Sequence, residues 1–555
     1  MSHPLFDKHR ATLDGALNAI ATRGYWSPYS EMPSPKVYGE TAAADGKAAF
    51  EAHLGRNFEL DQPGQSGWGG KESSPYGVAL EVRYPVCDHE ALVAAGLAAM
   101  KGWQAIGAPG RTGICLEILD RLYKQSFEMG HAVMMTTGQG WMMAFQAGAA
   151  HALDRGLESV AYAWREQSFV PAESQWEKPQ GKNPALVMKK HYEIVGRGVG
   201  LVVGCGTFPT WNTYPGLFAA LSTGNAVIVK PHSNAILPAA ITVRTIRAVL
   251  AENGIDPNLV TLCVAESRSV TQALATHAGV KSVDFTGSNV FGQWLIDHAK
   301  QAQVYAELAG VNNIVVDSTD AYKAMLGNLA FTLSLYSGQM CTTSQAIIVP
   351  AGGIETDQGH KSYDEFCADL AAAIERFLGK TEVACAVLGA MQSSATAERV
   401  ELANSGSLGR VVLASKKLAN PEFPGADVRT PVLLAVDAAD EAAYMEERFG
   451  PISFVVKAAD TAAAIALSER IVNTHGALTV GLYSTRQDVI DAMTEATWRG
   501  KVALSINLTG GVFVNQSSAF SDYHGTGGNP AANASYADSA FVANRFRVVQ
   551  RRYHV

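Results

Sequence analysis

A chain of 555 residues is too long for one hydrophobic core, so two or three domains are expected. Its formal net charge of −8 excludes the basic footprint that nucleic acid or an anionic membrane surface would require. Its seven cysteines lack paired spacing or a CxxC and fit a reduced cytoplasmic protein with free thiols and no metal centre, and the polar start (Asp7, Lys8, His9, Arg10) holds no signal core.

In chain order, the first 165 or so residues read as a mainly helical lead-in. It is Pro- and Gly-rich over 26–77, with helices predicted near 88–103, 113–129 and 141–157. Trp141, Met142, Met143 and Phe145 form an apolar stripe of the kind that packs into a core. Alternation over 186–195 predicts an exposed hairpin strand. Over 199–308 short apolar strands (near 199–203, 226–230, 259–264, 281–286 and 303–307) alternate with amphipathic helices, the pattern of a parallel, doubly wound sheet. The uncharged run between Arg197 and Lys230 is broken by Gly, Pro, Asn and Thr, which argues against a membrane span. The helix after Lys230 takes Ser233 or Asn234 as its cap, has Pro238 in its first turn and Gly254 past its end.

Sheets of this kind bind nucleotides at the carboxyl ends of their strands. The turn Phe285-Thr286-Gly287-Ser288, with Gly292 following, joins a strand to a helix, and a helix N-terminus preceded by glycine offers free N–H groups and a positive dipole to a pyrophosphate. Lys230, before Pro231, ends another strand and can reach ribose hydroxyls or a phosphate. Farther on, a helix predicted over 322–337 precedes a buried strand at 346–349. Gly338-Gln339-Met340-Cys341-Thr342 lies between them, so the Cys341 thiol is presented rather than packed. Glu307, in Glu307-Leu308-Ala309-Gly310, stands 34 residues upstream at a strand end. A thiol and a carboxylate supply a nucleophile and a base.

In these two motifs and their separation the chain resembles the aldehyde dehydrogenase superfamily, over about residues 195–520. The resemblance implies an α/β fold with two doubly wound, Rossmann-like domains and a β-hairpin/C-terminal oligomerisation arm. It divides the chain into a dinucleotide-binding part (1–168 and 196–306), a catalytic part (307–522) and the arm (169–195 and 523–555). It implies a small-molecule aldehyde as substrate, Cys341 as nucleophile and Glu307 as the base that activates water. Glu447-Arg448-Phe449-Gly450-Pro451 looks like the family's ribose-binding turn, with Glu447 on the nicotinamide ribose and Phe449 beside the nicotinamide. Alternating apolar residues in the hairpin and over 541–553 predict a homodimer or higher homo-oligomer.

Three departures from the family pattern refine the expectation. Thr207-Phe208-Pro209 stands where the family has Asn-Phe-Pro, so the Thr207 hydroxyl takes the place of an oxyanion-binding amide, beside the Cys341 N–H. Trp211-Asn212 superficially resembles the family's Trp-Asn pair but lies five residues too late for it, and is expected to face the substrate tunnel. Ser233 stands where NAD-requiring members carry a glutamate, which predicts NADP as cofactor with NAD also admitted. Residues 519–530 replace the usual glycine-rich loop and resemble the PaaN-type, phenylacetate-degradation branch, whose substrate is a ring-opened acyl-CoA carrying an aldehyde. The readings weighed against this are a noncatalytic dinucleotide-binding member of the fold, an aldehyde dehydrogenase of other substrate range, and a thiol esterase, for which the sequence offers no identifiable histidine partner.

Overall fold

The structure, a computed structural model, describes residues 3–265 and 267–555; Met1 and Ser2, at the start of the first expected segment, and Glu266 lie outside the described residues. Two sheets face one another across the middle of the molecule. The first has five parallel strands in the order Val260–Leu262, Ala226–Lys230, Val199–Val203, Val280–Thr286, Gln303–Glu307. Two of its central strands are rich in Val, Ile and Leu and buried over 199–203 and 226–229, as a sheet covered on both faces demands. The second has seven strands in the order Arg410–Leu413, Val432–Asp437, Ile452–Ala458, Ser344–Pro350, Asn312–Val316, Thr479–Tyr483, Ala503–Ile506. All its pairings are parallel except that of the edge strand Arg410–Leu413, which makes it mixed. The parallel sheet read from the alternation over 199–308 is observed, and so is the α/β fold with two Rossmann-like units that the resemblance implies.

The lead-in differs in detail from the sequence reading. The helix expected over 113–129 is two helices, Gly107–Tyr123 and Ser126–Thr137, separated where Gln125 leaves helical geometry and Ser126 Oγ donates to the Tyr123 carbonyl (2.6 Å). Within the Pro- and Gly-rich stretch lies a helix, Ala42–Glu51, whose alanines favour it and whose Gly46 lets it pack backbone-close on Phe127: a Cβ at Gly46 would lie 2.3 Å from the Phe127 Cβ. The helix after Lys230 starts at Leu237, later than predicted, and neither Ser233 nor Asn234 caps it. Its N-terminal N–H groups are met from afar by Glu72, whose Oε2 accepts from Ile236 N (2.5 Å) and Leu237 N (3.2 Å).

Two further segments frame the site. Residues 507–538 have little regular structure, yet run back along the edge strand Gln303–Glu307, where Leu308 N donates to Ala531 O (2.7 Å) and Ala306 N to Asn533 Oδ1 (2.7 Å). Segment 523–536, grouped by sequence with the arm, thus lies beside the sheet. The arm sheet itself is Glu173–Gln180, Asn183–Gly196 and Phe546–His554, antiparallel with Asn183–Gly196 in the middle. Among the described residues, no helix is long and apolar enough to cross a membrane.

Candidate active site

The carboxyl ends of the five-stranded sheet point at the amino ends of the seven-stranded one. Glu307 closes the strand Gln303–Glu307, while Cys341 precedes Ser344–Pro350 and Glu447 precedes Ile452–Ala458. Opposed strand ends therefore bring residues far apart in sequence to one place, the geometry that ligand sites in α/β folds exploit.

The turn bearing Cys341 is rigidly held. The helix Tyr322–Ser334 is followed by Tyr336 and Ser337 in the left-handed region (φ 52° and 49°), a backbone cost of about 1–3 kcal/mol each that surrounding contacts must offset. Tyr336 OH donates to Thr137 O (2.6 Å), and Ser337 Oγ donates to the carbonyls of Arg429 (3.0 Å) and Gly389 (3.1 Å). Gly338, also at positive φ, sits against the backbone of Gly450, where a Cβ would be 2.3 Å from the Gly450 carbonyl oxygen. The nucleophile turn and the Glu447–Pro451 turn thereby touch. Gln345 strengthens the link, accepting from Arg448 N (2.5 Å) and donating to Glu446 O (2.9 Å).

Two cavities meet at half-buried Cys341. One, of about 640 Å³, runs from Cys341 and Glu307 past Glu447 and Phe449 to Gly287 and Ser288, and on to Lys230 and Ser233; Thr207 also lines it. The residues selected from sequence are thus gathered along a single cleft. The Gly287 turn is fixed to the carboxylate's strand by Gly287 N donating to Glu307 O (3.0 Å). Burial lowers the Lys230 ammonium from its ordinary range, and burial raises Glu447 to about 7, with Arg399 opposing and Glu307 adding to that rise. The other cavity, of about 600 Å³, reaches Cys341 from the opposite side between Phe208, Trp211, Phe331, Met143 and Met340. Met142 and Met143 belong to this tunnel, while Phe145 is core, so the stripe read as core is divided. Trp211 faces the tunnel as expected.

Asn212 stands at the junction of both cavities. Its Nδ2 donates to Glu307 Oε2 (3.0 Å) and toward Thr286 Oγ1 (3.4 Å), and its Oδ1 accepts from Cys205 Sγ (3.4 Å). Thr207 is anchored through its carbonyl, which accepts from Gln139 Nε2 (2.7 Å).

His524, absent from the sequence reading, completes the cluster. Its Nε2 lies 3.1 Å from Glu307 Oε1 and 3.8 Å from Cys341 Sγ, and its Nδ1 lies 3.4 Å from Ser517 Oγ. The thiol, carboxylate and imidazole atoms all fall within 4.8 Å of one another. Burial pushes the Cys341 thiol well above its ordinary range, and the Glu307 carboxylate adds to this. Burial would also raise Glu307, but the neighbouring His524 and the thiol's hydrogen bond hold it below the usual carboxylate value. Such a cluster can attack an electrophilic carbon through sulfur and move a proton between three groups.

Comparison with known proteins agrees with this geometry. The sequence profile of the Aldehyde dehydrogenase family matches residues 84–536. The crystal structure of an NAD-dependent aldehyde dehydrogenase from Burkholderia multivorans superposes with a TM-score of 0.98 at 58% identity, covering 100% of both chains. The N-succinylglutamate 5-semialdehyde dehydrogenase of Chromobacterium violaceum is 26% identical over 518 residues, 91% of this chain and 94% of that protein. The 1-pyrroline-5-carboxylate dehydrogenase of Bacillus subtilis is 23% identical over 435 residues, 76% and 78% of the respective chains.

Proposed function

We propose, from the premise that this chain belongs to the aldehyde dehydrogenase family and is an NAD(P)-dependent enzyme, that it oxidises an acyl-linked semialdehyde through a thioester on Cys341. The observation that carries this reading is the convergence of two cavities on one thiol, one lined by the nucleotide-binding turns and the other by apolar side chains.

In this reading the Cys341 thiolate attacks the aldehyde carbon, since the thiolate is the competent nucleophile. The Thr207 hydroxyl and the Cys341 N–H donate to the oxyanion. Asn212 is less suited to that task, because its two amide hydrogens are directed at Glu307 and Thr286. A nicotinamide dinucleotide, when bound, supplies the hydride acceptor that carries the adduct to the thioester. Glu307 then takes a proton from water as it attacks the acyl carbon, releasing the acid. Retention of this glutamate favours hydrolysis over transfer of the acyl group to CoA.

The long cleft suits a dinucleotide. Lys230 is a half-buried cation without a carboxylate partner among the described residues, the Gly287–Ser288 turn opens a helix, and Glu447 and Phe449 line the cleft together with the thiol. Residues 196–306, with the lead-in 1–168, form the dinucleotide-binding part in this proposal, and 307–522 the catalytic part. With neutral Ser233 at the far end, NADP is accepted alongside NAD, the cofactor named for the relative from Burkholderia multivorans.

The apolar tunnel and the PaaN-type loop support a ring-opened acyl-CoA semialdehyde of aerobic phenylacetate degradation, consumed in the cytoplasm, with the aldehyde arm in the tunnel and the CoA thioester toward its mouth. The test is formation of reduced cofactor with acyl-CoA semialdehydes against simple aliphatic and aromatic aldehydes. A kcat/KM at least tenfold higher for the CoA-linked substrates is expected, and equal values would assign the enzyme another substrate range.

A further inference from the structure

We propose that His524 is a positioning residue for Glu307: its Nε2–H donates to Oε1 and holds the carboxylate in place for the water that hydrolyses the Cys341 thioester. The inference rests on the reading of Glu307 as the hydrolytic base and adds the residue that makes a buried carboxylate fit for that task.

The direction of each hydrogen bond around the ring is fixed by its neighbours. Arg155 Nη2, which can only donate, meets Ser517 Oγ at 3.1 Å. With its oxygen accepting there, the Ser517 hydroxyl turns its hydrogen to His524 Nδ1 (3.4 Å), and a neutral imidazole that accepts on Nδ1 carries its hydrogen on Nε2. Protonation would add a hydrogen at Nδ1 and leave the Nε2 donor unchanged. Nε2–H faces Glu307 Oε1 at 3.1 Å, closer than Cys341 Sγ at 3.8 Å. Sulfur therefore meets no imidazole lone pair, and the thiol's own hydrogen bond goes to the carboxylate. Asn212, just before the helix Thr213–Ser222, donates to the other oxygen, Oε2 (3.0 Å). Three donors thus fill most of the acceptor positions of Glu307.

The three do not last equally through the reaction. When sulfur takes up the acyl group its hydrogen is gone, so the position on Glu307 that the thiol occupied opens beside the acyl carbon. His524 and Asn212 meanwhile keep the carboxylate from turning away. Water donates to the open position: its O–H bond breaks, the proton passes to Glu307 and the oxygen forms the new C–O bond. The C–S bond then breaks with its electron pair on sulfur, which takes the proton back from Glu307. Burial by itself would raise the Glu307 carboxyl, and His524 leads the contacts that hold it below its ordinary value, ahead of the thiol and Arg155. Of the other titratable groups around it, Cys205, Glu447 and Tyr536 are each raised by burial and further by the Glu307 charge, and the Arg155 guanidinium is committed to Glu158 (2.8 Å). In the thioester the contribution of the thiol is lost, and the imidazole carries more of the work.

The lead-in aims the ring. Arg155 and Glu158 lie on the helix His151–Ser168 and tie down the loop that bears His524: Phe520 N donates to Glu158 Oε1 (3.1 Å), and Arg155 donates also to the carbonyls of Asp522 (3.1 Å) and Tyr536 (3.2 Å). Trp211 meets the imidazole edge-on, with ring centres 4.5 Å apart. Held at both nitrogens and against an aromatic ring, the donor to Glu307 is preformed.

The experiment separates hydrolysis from acylation with p-nitrophenyl acetate, which acetylates the thiol and releases p-nitrophenolate without aldehyde or dinucleotide. Decay of the acetyl-enzyme is followed by intact mass across pH in the wild type, His524→Asn and His524→Gln. All three should give a burst of p-nitrophenolate, which also shows that the variants are folded. His524→Asn, too short to reach Glu307, should hydrolyse about tenfold or more slowly near pH 6, with its acid limb displaced upward by about one unit or more, because loss of the donor raises the buried carboxyl and depletes the base form. His524→Gln, whose longer amide donates from the same side, should return to within about threefold of the wild type. An acid limb that stays in place in His524→Asn, or a His524→Gln as slow as His524→Asn, would overturn the assignment. So would loss of the burst from either variant, which would put His524 in the acylation step. The reading of Glu307 fails separately, if Glu307→Gln hydrolyses the acetyl-enzyme at the wild-type rate.

Discussion

At the scale of single residues, the division of labour between thiol and carboxylate makes separate predictions. Cys341→Ala should abolish aldehyde oxidation while leaving dinucleotide affinity, measured by fluorescence titration, within about twofold, since sulfur bonds to substrate only. Glu307→Gln should still give a single-turnover burst of reduced cofactor, with acyl-enzyme accumulating, because the carboxylate acts on water in the last step. Loss of the burst would place Glu307 in the first step. At the far end of the cleft, Ser233→Glu should penalise NADP by about 1–3 kcal/mol in kcat/KM relative to NAD, the scale of a close like-charge contact in a partly solvated site. An unchanged cofactor ratio would mean that Ser233 does not face the ribose. Cys341 and Glu307 were legible because each sits in a short motif at a strand or helix boundary, where periodicity marks the boundary. His524 was not. It stands in the loop singled out as unlike the family's, but its partners lie 183 and 217 positions away, and a lone histidine among Gly, Ser and Thr carries no periodic signal.

At the scale of elements, the helix Leu237–Glu252 shows how a carboxylate can be placed where local sequence would not put it. Glu72 accepts from the N–H groups of Ile236 and Leu237 and from Tyr84 OH (2.6 Å) inside the core. Burial raises its carboxyl to about 7 from an ordinary 4.5, against the lowering effect of those three donors. The folded value is the higher one, so the group's contribution is fully present below pH 4.5 and is lost as pH rises through about 7. The loss is on the order of 3 kcal/mol, at 1.36 kcal/mol per pKa unit. Glu72→Gln keeps an acceptor and removes the titration. Chemical denaturation at pH 5 and pH 8 should therefore show the wild type falling relative to the variant as pH rises, and parallel stabilities would refute the shift. Local capping rules pointed to Ser233 or Asn234 because they weigh only neighbouring residues, whereas here a side chain from the lead-in completes the helix. The strands themselves were legible, since short β-branched runs such as 227–229 between turn signals suit a sheet buried on both faces.

At the scale of the whole molecule, the arm is the part that a monomer leaves unfinished. Its sheet has only three strands, both of its edge strands are open, and Phe546–His554 exposes Val548, Val549 and Tyr553 on successive sides of the pleat. Such a sheet is marginal unless something covers it. Its root, by contrast, is fixed: Arg545, just before the last strand, is buried in a bidentate pair with Asp284 (2.5 and 2.8 Å) and stacks on Tyr305 and Phe541 (4.2 and 4.3 Å from the ring centres). The chain therefore invests a buried ion pair in aiming a sheet that packs on little of its own subunit, which is sensible if a second copy of the chain covers it. Sedimentation at micromolar concentration should show at least a homodimer. Deleting residues 546–555, beyond the Arg545 anchor, should yield a folded monomer whose Cys341 still alkylates, because the site is built from the two sheets, the lead-in and the loop 517–536. A wild-type monomer, or a truncated chain that still self-associates with the same affinity, would remove the arm from the assembly.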